Sequence, residues 1–298
     1  NFFTAPPTDY LAVCSANIST AAAVDPAQTD DDYPAKQFSP ILYTGNASAD
    51  YAISGLGFKP DIVWFRYRSG ANSVYAQGII DSSRGASLGM YPPRTDADTN
   101  FSSDFESFDT DGFTLNAGSS ANINNSGQTF VSWCWRANGG TTSTNATGSL
   151  SVTQQVDPSG GFSIATYTGT GSAATIGHGL GVKPVFIIVK NRTVANDWAV
   201  YAEGVASDPQ TDYLLLNSTA AVADDATYWN DTAPTTSVFS IGTNADVNTN
   251  TNTYIAYCFA NTEGYIKSGS YEGNGNADGA FVYTGFRPAW IMTKSVDS

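Results

Sequence analysis

The side chains able to carry chemistry are few in kind and scattered along the chain. Asp96, Asp98, Asp104, Glu106, Asp109 and Asp111 form the densest set of oxygen ligands, and Asp109-Thr110-Asp111-Gly112 alternates ligand and spacer as part of a Ca²⁺ loop does. The twelve-residue ligand pattern is not completed, and the second half of the chain offers only Asp224, Asp225 and Asp231 nearby. These acids read as solvated turns, with a bound cation as the alternative. Glycoside hydrolysis needs two carboxylates about 5–10 Å apart, and position singles out no such pair among the 27 acids. The single histidine, His178, sits in Ile176-Gly177-His178-Gly179 where the first half has Ser54, so it reads as a turn residue rather than a base. One histidine also removes most His-based triads and metal sites. Ser82-Ser83-Arg84-Gly85 and Gly161-Phe162-Ser163-Ile164 lack the Gly-x-Ser-x-Gly of a nucleophile elbow. Cys14, Cys134 and Cys258 have no partner at metal-ligand spacing and read as small buried hydrophobes. No catalytic, cofactor-binding or metal-ligating residue is assigned, and the chain is not expected to be an enzyme.

Aromatic rings are the better binding candidates, because a ring face stacks on a sugar without charge, and Tyr and Trp add a polar handle. Tyr91, Trp198, Tyr213, Tyr228 and Trp229 lie in stretches that read as loops and are the candidate glycan contacts. The alternative is that they cap a core or pack on a neighbouring subunit. Trp64, Trp133, Trp135 and Trp290 fall in apolar strands and are assigned to core or interface. The Asn-x-Ser/Thr sequons at Asn46, Asn145, Asn191 and Asn217 are what chance gives in a chain so rich in these residues.

The elements that must position these residues are repeated. Tyr43, Tyr167 and Tyr271 each open a Tyr-x-Gly and each precede a proline, Pro60, Pro184 and Pro288, by the same 17 residues. An apolar run follows each proline: Asp61-Ile62-Val63-Trp64-Phe65, Val185-Phe186-Ile187-Ile188-Val189-Lys190, and Ala289-Trp290-Ile291-Met292-Thr293-Lys294. Phe130-Val131-Ser132-Trp133-Cys134-Trp135 matches Tyr254-Ile255-Ala256-Tyr257-Cys258-Phe259, and each cysteine lies 74 residues after its proline, which sets a period of 124. Val74-Tyr75-Ala76-Gln77-Gly78-Ile79 also corresponds to Val200-Tyr201-Ala202-Glu203-Gly204-Val205, two residues out of step.

Short runs rich in Val, Ile, Phe, Tyr, Trp and Thr, bounded by Gly, Pro, Asn and Ser, predict strands, and no window holds a capped helical period. The prolines fall at strand entries, where the missing N–H removes no ladder bond, with Gly57 or Gly181 in the turn before. Strands apolar at consecutive positions need cover on both faces, which two packed sheets supply. The expected fold is all-β: tandem antiparallel β-sandwich repeats, jelly-roll-like, strung as beads in a stiff rod. Residues 1–37 read as the end of a preceding domain plus linker, 38–148 as the first repeat, 149–262 as the second, and 263–298 as the start of a truncated third, whose natural chain is expected to continue.

Composition narrows the function classes. The chain has 298 residues, 13 basic and 27 acidic, a net charge of −14 and 41% hydrophobic residues. That is enough apolar material for a core, and a field that repels phosphate backbones and anionic lipid. Nucleic acid and membrane insertion are excluded on this reading, and no apolar run approaches the roughly 18 residues of a spanning helix.

Tyr-x-Gly-Asn-Gly, then Gly-Phe-x-Pro-x-x-Ile-x-x-Lys, with a later strand ending Trp-Cys-Trp or Tyr-Cys-Phe, resembles an uncharacterised repeat domain of tailed-bacteriophage virion proteins, marine phages above all. Leu214 to Ala221, Tyr228-Trp229-Asn230 and Ser237 to Gly242 are similar to the same family, and Thr4 to Cys14 resembles the end of the concanavalin A-like lectin domain that often precedes it. The resemblance spans Phe38 onward and brings no catalytic residues. It implies a tail fibre, appendage or head-decoration protein on the virion surface, with other virion proteins and host-surface polysaccharide as partners, and by analogy a homotrimer. A carbohydrate-binding module or depolymerase is the alternative.

Overall fold

The computed structural model describes residues 34–68, 77–118 and 122–297. In the first repeat, β1 (Phe38–Thr44), β2 (Tyr51–Ser54), β3 (Ile62–Tyr67), β4 (Gln77–Asp81), β5 (Leu88–Met90), β6 (Thr99–Asn100), β7 (Phe105–Asp109), β8 (Gly112–Leu115) and β9 (Thr129–Trp135) follow in order. Six of them make one sheet, β1-β9-β3-β4-β5-β6, and β2-β8-β7 make a smaller one. The second repeat contains β10 (Ser143–Asn145), β11 (Val152–Asp157), β12 (Phe162–Thr168), β13 (Ala174–Gly177), β14 (Phe186–Asn191), β15 (Trp198–Ala202), β16 (Asp212–Leu215), β17 (Ala223–Asp224), α1 (Ala226–Trp229), β18 (Val238–Ile241), α2 (Ala245–Asn248) and β19 (Thr253–Phe259). Its large sheet runs β10-β11-β12-β19-β14-β15-β16-β17, and β13-β18 is the small one. All the strand pairs are antiparallel. The fold is an all-β sandwich, duplicated.

Register carries the duplication to single residues. Cys134 stands between Ser39 and Val63, and Cys258 between Ser163 and Ile187, because each Cys strand is paired on both sides within its sheet. Both cysteines are fully buried, and burial pushes the Cys258 thiol up to about 12. The Tyr-x-Gly motif is a clasp. Tyr43 Oη donates to the Ile123 carbonyl at 2.9 Å and Tyr167 Oη to that of Val247 at 2.7 Å. One residue on, Asn124 and Asn248 receive the amides of Asn46 and Thr170 and donate to the carbonyls of Ser48 and Ser172. A side chain at Gly45 or Gly169 would collide with the carbonyl of Asn125 or Thr249, so only glycine allows the approach. Gly57 and Gly181 take φ of +78° and +74° in the turns before Pro60 and Pro184, as their placement predicts.

Alternate residues of the apolar strands enter different cores. Val63 and Phe65 pack inside the first sandwich and Ile187 and Val189 inside the second. Ile62, Trp64, Ile79, Met90 and Trp135 meet Phe162, Ile164, Ile188, Trp198, Val200, Leu214, Ile255 and Tyr257 in a third core between the two large sheets. Both faces are covered, but the second cover is the other repeat, not the partner sheet of the same sandwich. Beads in a rod are therefore replaced by sandwiches packed back to back. Each fully buried large side chain there contributes about 1.5–3 kcal/mol.

Three further expectations are corrected. β10 pairs with β11, so residues from Ser143 already belong to the second sheet, ahead of the expected boundary at 149. Pairing with β3 and β14 sets Gln77–Asp81 against Trp198–Ala202, not the Val200–Val205 stretch; residues 74–76 of that correspondence lie outside the described residues. Ile53 faces Phe113 as Ile176 faces Phe239, so Ser54 matches Gly177 and His178 is an extra residue in the second turn. Cys14 and residues 1–33, read as a preceding domain's end, lie outside the described residues. Among the described residues from 263 to 297 there is no strand beyond an isolated bridge between Thr262 and Ile266.

Candidate interaction site at the repeat junction

The polar chemistry of the chain concentrates where the two repeats meet. Asp61 enters β3 fully buried, and its Oδ2 accepts the amides of Ala137, Asn138 and Gly139 at 2.7, 2.8 and 2.7 Å. Its Oδ1 accepts Gly140 N–H and Ser82 Oγ, each at 2.6 Å. Four successive amides of the exit from β9 are thus gathered on one carboxylate. Gln155 of β11 extends the cluster, accepting Gly140 N–H at 3.0 Å and donating to Ser82 and Ser83 Oγ, both at 2.8 Å.

A second polar cluster crosses the junction beside the shared core. Arg84 binds Asp81 through Nε and Asp98 through Nη1, and Asp98 is also held by Arg192 of the second repeat at 3.0 Å. Tyr257 Oη donates to Asp81 at 2.8 Å. Burial alone would weaken the hold of Arg84 on its proton, but Asp81 above all, with Tyr257 and Asp98, reverses this and raises its pKa. Lys190, fully buried at the end of β14, donates to the Thr95 carbonyl at 3.0 Å across the junction and to the Asn191 carbonyl at 2.9 Å. Burial pulls its pKa down to about 8 against the opposing pull of Asp246, Asp98, Asp96 and Asp197, so it stays a cation at neutral pH. Trp198 Nε1 donates to the Arg94 carbonyl at 2.9 Å.

The five candidate glycan aromatics are not brought together as open ring faces. Tyr91, Trp198, Tyr228 and Trp229 are between 1% and 5% exposed. Tyr91 fills the first core, Trp198 the shared one, and Tyr228 and Trp229 the second core from α1. Tyr213, in β16 rather than a loop, stacks on Tyr228 with centroids 3.8 Å apart. Their faces are taken by protein neighbours, as the alternative reading of core caps has it.

The acidic stretch also disperses among protein partners. Asp98 belongs to the junction, and Asp96 pairs with Arg94 at 2.6 Å. Asp104 accepts the Asn122 amide, Asp109 the hydroxyls of Ser107 and Thr114, and Asp111 the Gly55 and Gly57 amides. Only Glu106 points to another acid, Asp50; slight desolvation and that neighbour raise its pKa. Among the described residues no group of three His, Cys, Asp or Glu converges on a metal position.

His178 is buried with Nδ1 accepting from Leu180 N–H at 3.2 Å and Nε2 lying 3.2 Å from the Thr235 carbonyl. A carbonyl only accepts, so the ring is neutral with its proton on Nε2. Burial lowers its pKa, with the Thr235 carbonyl opposing. Since the folded pKa lies below the unfolded value, this ring's stabilisation is complete above about pH 6.5 and is lost as pH falls from there towards the folded pKa. In urea titrations of the wild type and His178→Gln, the gap in stability should be larger at about pH 7.5 than at about pH 5.5. A gap independent of pH would contradict the buried neutral ring.

Sequence reading missed Asp61, Asp81, Arg84, Asp98, Arg192 and Lys190 as a set. For Asp61, Asp81, Lys190 and Arg192 the signal was present, as charges inside or beside the ends of apolar strands, where charged residues are almost never buried without partners; Arg84 lies in a turn and Asp98 in a loop, and neither carried such a signal. No curated protein and no solved structure matches the chain. The family model of a domain of unknown function, DUF7483, matches residues 33–298 and takes in both repeats, the junction and the third segment, so the chain belongs to that family.

Proposed function

We propose that the chain is a non-enzymatic structural protein of a bacteriophage particle, a tail fibre or related appendage, held on the virion surface by other virion proteins and presenting a contact region to host polysaccharide. One observation carries the non-enzymatic part of this reading. The residues kept in both repeats serve backbone ties and packing: the Tyr43 and Tyr167 clasps, the bonds of Asn124 and Asn248, the close approaches at Gly45 and Gly169, and the buried Cys134 and Cys258. Duplication has preserved shape. The virion setting rests on the motif resemblance, and a neutral polar exterior with net charge −14 suits an extracellular particle that meets anionic envelopes. Trimeric assembly belongs to the same reading and would give weak contacts avidity.

The test pairs purified chain with envelope polysaccharide of the host and with purified particles. Polysaccharide bound and left intact, together with the chain in the particle's protein inventory, supports the reading; polysaccharide left unbound removes the host contact and leaves a structural protein of the particle. Shortened polysaccharide makes the protein a depolymerase and overturns it, as does absence from particles.

A further inference from the structure

The grip of the second repeat on the first is used twice. The loop Arg94–Asp98 receives the end of β14: Lys190 Nζ donates to the Thr95 carbonyl at 3.0 Å, and Asp98 N–H donates to the Arg192 carbonyl at 3.1 Å. One period of 124 later, Thr95 and Asp98 become Thr219 and Val222. Lys294 and Val296 follow Pro288 by six and eight residues, as Lys190 and Arg192 follow Pro184. Lys294 Nζ donates to the carbonyls of Ser218 and Ala220 on either side of Thr219, at 2.8 and 3.2 Å. Val222 N–H donates to the Val296 carbonyl at 3.0 Å. The third segment, though it forms no ladder, thus holds the second repeat as the second holds the first. It also returns to the first: Trp290 lies 6.1, 6.3 and 5.3 Å from Trp64, Trp133 and Trp135, at the rim of the shared core.

A head-to-tail contact that repeats either runs on as a filament or closes as a ring. A third member touching both others is what closure requires. In the first repeat the corresponding strand end is Arg66–Arg68, six and eight residues after Pro60. Both arginines are exposed, and among the described residues no loop lies on them as Thr95 lies on Lys190. We propose that the repeats pack as a closed ring of three around the shared apolar core, and that Arg66–Arg68 is the surface that receives the matching loop of a completed third β-sandwich repeat begun by residues 263–297. A second copy of this chain is the weaker occupant, because its two loops of this kind, Arg94–Asp98 and Ser218–Val222, are already engaged within the chain. The contact needs main-chain carbonyls for a cation and one amide for a carbonyl, which Arg66 and Arg68 meet as well as Lys190 and Arg192 do.

Hydrogen exchange on the chain itself tests the threefold docking. The Val222 amide should be protected in the wild type, and Lys294→Met or Trp290→Ala should speed its exchange by about tenfold or more while leaving the Asp98 amide unchanged. An unprotected Val222, or one indifferent to both changes, overturns the ring. The open surface is tested by continuing the chain after Ser298 with a copy of residues 195–262, which completes the third repeat in register. Arg66→Glu should then lower the unfolding midpoint of the extended chain and leave the 298-residue chain unaffected. Equal effects in both, no effect in either, or an extended chain less stable than its parent overturns the proposal, and dimers that depend on Arg66 would assign the surface to a second copy. If the extension does not fold, Trp290→Ala still decides the ring: it should also speed exchange of the β9 amides at Trp133 and Trp135, and amides there indifferent to it overturn closure onto the first repeat.

Discussion

Asp61→Ala is expected to destabilise the protein by about 3–5 kcal/mol, the range for removing one partner from a buried charge-assisted cluster. The substitution leaves Ala137, Asn138, Gly139 and Gly140 amides and the Ser82 hydroxyl facing a hole where their acceptor stood. Relaxation can return some of these groups to water, since the turn is only partly buried, and Gly140 keeps Gln155. That is why the estimate stays well below five full desolvation penalties. Asp61→Asn keeps one acceptor oxygen and should lose about half as much. Urea unfolding followed by tryptophan fluorescence measures both; an alanine variant within about 1 kcal/mol of wild type would mean that the turn finds its bonds elsewhere. The second repeat has Val185 at the equivalent position, where its backbone N–H still bonds the Phe259 carbonyl as Asp61 N–H bonds that of Trp135. The ladder is common to both repeats, and the carboxylate serves the passage from one to the other.

That contrast explains what could be read from the sequence. Periodicity exposes what both repeats need, so the Tyr-to-Pro interval, the Cys strand and the glycine turns were legible, and with them the all-β class. Asn124 and Asn248 obey the same period and could have been found that way, but a search weighted to acids and aromatics passes over amides. Residues that make the junction differ between the repeats by necessity, because each side of a head-to-tail contact is a different surface. Asp61 against Val185 and Asp81 against Ala202 are invisible to a comparison that looks for sameness. The aromatics failed as glycan candidates for a related reason. These rings lie outside the shared strand motifs, in stretches that read as loops, yet Trp198 opens β15 and Trp229 ends the one-turn α1, both facing inward, so the capping alternative describes them. Consecutive apolar residues did announce two covered faces, but the sequence holds no sign of whether the second cover is a sheet of the same sandwich or another sandwich.

Arg84→Met should be as damaging as the loss of Asp61, about 3–5 kcal/mol, for the opposite reason: it strands negative charge. Asp81, with a fully buried side chain, would keep Tyr257 and the Arg84 amide as donors but lose its cation, and Asp98, 14% exposed, would keep only Arg192. Deep in the junction the deficit should persist in about 1 M salt, where the Debye length falls to about 3 Å and surface pairs are screened. Lys183→Met is the control, since the Lys183–Glu203 pair is 37% and 43% exposed and should change stability by less than about 1 kcal/mol. Adding Asp81→Asn to Arg84→Met removes the stranded charge, so the double variant should be more stable than the Arg84→Met single, with a coupling of about 1–3 kcal/mol in a double-mutant cycle. Additive losses would show that Asp81 and Arg84 do not act as a pair. Because Tyr257 brings the second repeat to Asp81, the Arg84→Met change should also raise amide exchange along both β4 and β19, which loss of a bond confined to one repeat would not do.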